Sequence, residues 1–151
     1  MTFLEALRSI GKEVCRAAAN QLQAAGVKEK EISLHLRSAG LGVADARILG
    51  EALRGLPQQG GQRLRSFSVS YNPLLGDRGA AILAGSLPLD VSEIGFVGCG
   101  MGDAGGRALL EWASQSTRLR MLCAEGNALS DGIKEEFSRL QKGRPGLVMV
   151  V

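Results

Sequence analysis

The residues with the most recognisable chemical spacing lie past the middle of the chain. Gly100, Gly102 and Gly105 form a literal GxGxxG. An apolar stretch, Ile94-Gly-Phe-Val97, precedes them, and a helical pattern follows. A second apolar stretch, Leu119 to Ala124, ends at Glu125, which is 20 residues past Gly105. Strand, glycine turn, helix, strand and acid are the parts of a dinucleotide site. The glycines bring backbone N–H groups close to a pyrophosphate at a helix start, and the acid binds a ribose hydroxyl. That fold also needs more parallel strands and a substrate region, which the remaining chain lacks. The site therefore stands as an alternative reading, not the leading one.

The other chemistry-bearing residues form no set. His35 is the single histidine. It has no second histidine for a metal site and no triad around it, so it reads as a surface residue. Cys15, Cys99 and Cys123 have no CxxC spacing and cannot close a disulfide set, which points to a reducing compartment and to no metal. Cys123 alternates with Leu122 and Ala124 and should be exposed, with only Arg120 nearby to activate it. Trp112 falls at helical spacing with Ala108 and Leu109 and reads as packing. No catalytic residue and no cofactor are expected.

Composition narrows the class further. The 151 residues suit one domain, and 45% apolar content suits a packed core. Aromatics are only 4%, too few for a base-stacking surface. The net charge of +3 is scattered, as in Lys28-Glu29-Lys30-Glu31, so nucleic acid is not an expected partner. No apolar run approaches a membrane span, and Glu5 and Glu13 interrupt any signal-like stretch. The expectation is an intracellular, soluble protein with no small-molecule substrate.

Glycine, at 21 of 151, is about twice its usual share and marks many turns. Residues 1–26 read as one helix that caps the core. Its apolar stripe is Phe3, Leu4, Leu7, Ile10, Val14, Ala17, Ala18 and Leu22. Thr2 and Glu5 have capping-box spacing, and Gly26 ends the helix.

The rest of the chain repeats. Leu64, Phe67, Val69, Asn72 and Leu75 recur as Val91, Ile94, Phe96, Cys99 and Met101, and again as Leu119, Leu122, Ala124, Asn127 and Leu129. The starts at 64, 91 and 119 are 27 and 28 residues apart, and a further strand is due at 147. A degenerate unit with Leu34, Leu36, Ala39 and Leu41 comes first, lengthened by a loop from Pro57 to Gln62. The units read as 31–63, 64–90, 91–118 and 119–146, with a final strand over 147–151. Each is a short half-buried strand, a turn and a helix. Asn72, Cys99 and Asn127 mark the turn. An asparagine amide there can donate and accept at once, satisfying loop backbone. Asp77, Asp103 and Ser130-Asp131 lie where helix-capping groups belong.

At these residues the chain resembles the leucine-rich repeats of the ribonuclease-inhibitor-like class. Their pattern is L-x-x-L-x-L-x-x-N/C-x-L-x-D-x-G-x-x-x-L. Val91, Ile94, Phe96, Cys99, Met101, Asp103, Gly105 and Leu109 follow it in register. Residues 64 to 83 follow it with one extra residue near Pro73-Leu74. The resemblance covers about residues 31 to 151 and implies an α/β fold. That fold is a right-handed solenoid, or short horseshoe, with parallel strands on its concave face and helices on its convex face. It also implies a non-catalytic protein–protein interaction module. The leading expectation is a scaffold or accessory subunit of a larger complex. The alternative is a regulator of an enzyme, as an inhibitor or a GTPase-activating surface. The expected concave face carries His35, Arg37, Arg65, Ser68, Ser70, Tyr71, Glu93, Val97, Arg120, Cys123, Glu125, Met149 and Val151. Of these, Arg37, Arg65, Tyr71, Glu93, Arg120 and Glu125 are the candidate partner contacts. A second expected contact is the edge formed by Leu147, Val148, Met149, Val150 and Val151, which a partner would cover unless the chain is a fragment.

Overall fold

The computed structural model describes residues 1–26, 28–56 and 61–151. Most of the expected glycine- and glutamine-rich loop, Pro57 to Gly60, and Val27 lie outside the described residues.

The N-terminal segment is two helices, not one. Helix α1 spans Phe3–Ile10 and α2 spans Glu13–Ala25. The Thr2 hydroxyl accepts from the Glu5 N–H, and the Glu5 carboxylate accepts from the Thr2 N–H, so the capping box is formed. Gly11 breaks the run with φ 75°, and its N–H donates to the Arg8 carbonyl. Glycine takes this left-handed conformation without a Cβ clash. The break re-aims the second helix. Cys15, Ala18 and Ala19 turn inward and Ala17 stays exposed, which a single stripe from Phe3 to Leu22 would not allow. Helix α1 packs on α2 and on the next helix, so the pair covers one end of the core.

Strand and helix then alternate. The strands are β1 (Glu31–His35), β2 (Arg63–Ser68), β3 (Glu93–Gly95), β4 (Met121–Cys123) and β5 (Val148–Val150). Between them run α3 (Val43–Gly55), α4 (Gly76–Ala84), α5 (Asp103–Gln115) and α6 (Asp131–Lys142). The chain is therefore α/β, with one all-parallel sheet in the order β1-β2-β3-β4-β5. Parallel neighbours need a long crossover, which each helix supplies. Successive helices pack on one another in the same order.

The register explains the burial. Leu34, Phe67, Ile94, Leu122 and Met149 lie side by side across the five strands. The first four are buried, and Met149 packs on the same core. Phe67 and Phe96 are fully buried, with ring centroids 6.1 Å apart. Each such ring stabilises the fold by about 1.5–3 kcal/mol through burial alone. A bulge between Ile32 and Ser33 in the β1–β2 pairing leaves Arg65 as the extra residue of β2.

One expected register is wrong by one residue. Placing the last strand 28 residues after Leu119 puts Met149 and Val151 on the open face. In the structure Met149 pairs with Leu122, a spacing of 27 (122 to 149). Met149 and Val151 therefore pack toward the core, and Val148 and Val150 are the exposed pair. Because side chains alternate along a strand, a shift of one exchanges the two faces. Leu147 is buried, and apolar residues on both faces of this strand hide the register in the sequence.

Candidate functional site

The turns after the strands hold the sheet edge together. Asn72 is fully buried. Its Oδ1 accepts from the Ala39 and Leu41 N–H groups at 3.0 and 2.9 Å. Its Nδ2 donates to the Leu36 and Val69 carbonyls at 2.9 and 2.7 Å. Asn127 repeats this pattern toward Cys99, Met101, Phe96 and Ala124. Cys99, fully buried between them, donates its thiol to the Val69 carbonyl at 3.3 Å. Burial pushes its thiol pKa up to about 11.

The glycine motif is engaged by the protein itself. Asp77, in the first turn of α4, reaches the start of α5. Its Oδ1 accepts from both Gly102 N–H and Gly105 N–H at 2.8 Å. A Cβ at residue 105 would come 2.9 Å from that oxygen, so an alanine there would push the carboxylate off the amides. The N–H groups that would cradle a pyrophosphate thus already hold a carboxylate, and a helix N-terminus favours that negative charge. Asp103 does the same one unit on, accepting from the Ser130 N–H at 2.7 Å. Its hydrogen bonds from Ser130, and then the Arg107 charge, hold its carboxyl below the usual range. Sequence spacing places these acids in a first turn but does not show that they reach the next helix.

The sheet face away from the helices carries the remaining polar residues. The first open row runs Ser33, Ser66, Glu93, Met121, Val148, and the next runs His35, Ser68, Gly95, Cys123, Val150. Polarity changes along both rows. The β1–β2 side is hydroxyl-rich, and several of its groups bond one another. His35 Nε2 lies 2.9 Å from Ser66 Oγ, and the Ser70 Oγ accepts from Ser68 Oγ and Val97 N. Among the described residues no carboxylate bonds the other ring nitrogen of His35, so the pair lacks the group that orients a catalytic histidine. The β4–β5 side is apolar. Met121, Val148 and Val150 are 42%, 47% and 41% exposed.

Ion pairs line the rim where the strands begin. Arg63 bonds Glu31 at 2.6 Å and also reaches Ser92 and the Asp90 carbonyl. Arg65 pairs with Glu93 at 3.2 Å. Arg120 shares this rim, exposed, with no carboxylate within ion-pair reach among the described residues. These side chains, with Met121 and Val148, surround a groove of about 520 Å³. Glu31, Arg63, Ser66 and Met121 were not among the expected face residues. Counting alternate positions outward from the buried Leu122 finds Met121.

The opposite rim holds the other expected contacts. Tyr71 is 46% exposed, with the Arg37 guanidinium 4.5 Å from its ring centre. Glu125 is half-buried, and its Oε1 is fully covered with no hydrogen-bond partner. An unsatisfied buried acceptor costs about 1–3 kcal/mol. Cys123 lies between Met121 and Glu125. Burial and the Glu125 charge both raise its thiol pKa, so it is not an activated nucleophile. Cys15 is buried, and Trp112 is 5% exposed with its indole N–H donating to the Leu87 carbonyl.

Among the described residues no three His, Cys, Asp or Glu side chains gather as a metal set. No helix of the described residues is long and apolar enough to cross a membrane. No family model matches the chain, and no curated protein matches it in sequence.

Proposed function

We propose that this chain is a non-catalytic protein-binding module, a short leucine-rich-repeat solenoid of the ribonuclease-inhibitor-like type. It serves as a scaffold or accessory subunit of a larger intracellular complex. One observation carries this reading. Met121, Val148 and Val150 are contiguous, exposed and apolar on a face whose other half is polar. Grouped apolar surface of this kind marks a contact site in a protein with a well-closed core. The strand spacing of 27 or 28 residues over β2 to β5, the matched turn asparagines and the chain-order sheet support the repeat architecture.

The enzyme-regulator reading uses the same face and differs only in the partner. The dinucleotide reading is weaker. Asp77 fills the amide cradle, and strands in chain order leave no point where connections diverge to open a nucleotide crevice.

The test is the native size of the chain in a gentle extract of its source, compared for wild type and Val148→Asp. The expected result is co-elution of the wild type with a complex at fixed stoichiometry, lost in a folded Val148→Asp variant. Equal elution of both as free monomers overturns the proposal.

A further inference from the structure

We infer that the β4–β5 strip takes an extended polypeptide segment carrying an acidic and a basic side chain about five residues apart, with apolar side chains between. This rests on the protein-binding reading and names the chemistry of the partner.

The strip has a surplus charge at each end. On the first rim, Arg63 and Arg65 have their own carboxylates, Glu31 and Glu93, and Arg120 has none among the described residues. On the opposite rim Glu125 makes no ion pair among the described residues, and its Oε1 is covered with no donor. Both lie on one stretch of backbone. Val148 N–H donates to the Arg120 carbonyl, Ala124 N–H to the Val150 carbonyl, and Gly98 N–H to the Glu125 carbonyl. The Arg120 and Met121 N–H groups both donate to the Ser92 carbonyl, so Arg120 sits at a bulge and the ladder runs extended from 121 to 125. The four strand steps from Met121 to Glu125 span about 13 Å, and Arg120 stands just before them. Met121 and Val148, then Cys123 and Val150, fill the interval.

The partner follows by complementarity. A carboxylate answers Arg120, and an ammonium, guanidinium or amide donor answers the Glu125 charge at its Oε2, since Oε1 is covered. An extended segment matches the spacing because it advances at the same rise per residue. Its apolar side chains cover the exposed methionine and valines. A segment of one sign leaves one end of the strip unmatched and repelled, which is how such a surface selects.

The test pans random linear peptides displayed on phage against the full chain, against an Arg120→Glu/Glu125→Arg double variant and against Val148→Asp. The wild type should enrich peptides with opposite charges about five residues apart. The double variant should enrich the reversed order of charges. A resynthesised wild-type winner should lose about tenfold or more in affinity on either single reversal. Enrichment that Val148→Asp abolishes but that carries no charge pair overturns this inference and leaves the binding face standing. Enrichment indifferent to Val148→Asp overturns both. Absence of enrichment overturns the inference, and the native-size comparison then decides the binding face separately.

Discussion

The Asp77 carboxylate and the Gly105 amide are 2.8 Å apart, although they belong to neighbouring helices. One oxygen also accepts from Gly102, so the first turn of α4 caps the start of α5. Capping across units makes the start of α5 depend on α4, and the start of α6 on α5. Asp77→Ala should cost about 1 kcal/mol, the usual worth of an N-cap. Gly105→Ala should also destabilise, since its Cβ meets the same oxygen. Urea midpoints of the two single variants and the double variant check this. Because both changes strike one contact, the double should cost less than the sum. Full additivity would contradict the coupling.

The turn asparagines should be the most sensitive polar positions. Asn72→Ala leaves two amide donors and two carbonyls without their partner in a closed interior. At about 1–3 kcal/mol for each group that water cannot reach, the loss should be about 3 kcal/mol or more. Asn127 makes the same bonds but is only half-buried, so Asn127→Ala should cost less. Urea unfolding of both variants measures the order, and an equal or reversed order is the contrary result.

Much of this was legible in the sequence. The apolar pair Phe67 and Val69, recurring as Ile94 and Phe96 and as Leu122 and Ala124, places the strands because a half-buried strand has a period of two. Asn72 and Asn127 announce the turn because a short amide offers two N–H donors and a carbonyl acceptor from one side chain. Three features stayed hidden. The break at Gly11 lies inside a continuous helical stripe, and one glycine within such a stripe is compatible with either outcome. The register of β5 is masked by a strand apolar on both faces. The reach of Asp77 to Gly102 and Gly105 is a contact between units, which no spacing within a unit reveals.

The acid side of stability should report on Asp103. Its hydrogen bonds from Ser130 and the Arg107 charge lower its pKa from the ordinary 3.8. A depressed carboxyl contributes stability above its unfolded pKa, and that contribution is lost as pH falls through the folded value. Wild type and Asp103→Asn should therefore differ near neutrality and converge below about pH 4. Thermal midpoints across that range check it. A gap that persists at low pH assigns the effect to something other than the charge.

The alkaline side should report on the buried thiols. Burial raises Cys15 and Cys99 from 9.0 to about 11, with the Asp45 charge adding to the shift at Cys15. Here the sign is opposite. The stability is present below the unfolded pKa and is lost as pH rises from 9.0 through about 11. Cys99→Ala should flatten part of that loss. In the native state a thiol reagent should modify Cys123 first, since only that thiol is partly exposed. Mass mapping of the labelled sites decides it, and early labelling of Cys15 or Cys99 would contradict the burial.

Tyr71 separates stability from binding. Residues 38, 71, 98 and 126 occupy one position on successive turns, and all four are left-handed, with φ of 50°, 61°, 59° and 74°. The last two are glycines, which adopt this conformation freely. Tyr71 is bulky and held there at a cost of about 1–2 kcal/mol. Gly98 makes room for it, because a Cβ at 98 would come 3.3 Å from the Tyr71 ring. The Arg37 guanidinium on the ring returns about 0.5–1 kcal/mol, typical of an exposed cation–π contact. Tyr71→Gly removes both terms and should leave stability within about 1 kcal/mol of wild type. Tyr71→Ala keeps the backbone strain and loses the ring, so it should be the less stable variant by about 1 kcal/mol. That order reverses the usual advantage of alanine over glycine. If the ring is presented for a partner, Tyr71→Gly should also weaken association while remaining folded. Calorimetric unfolding of the two variants, with the native-size comparison, reads both effects. An alanine variant at least as stable as the glycine one would mean that the left-handed turn carries no strain, and the case for a displayed tyrosine would lose its physical basis.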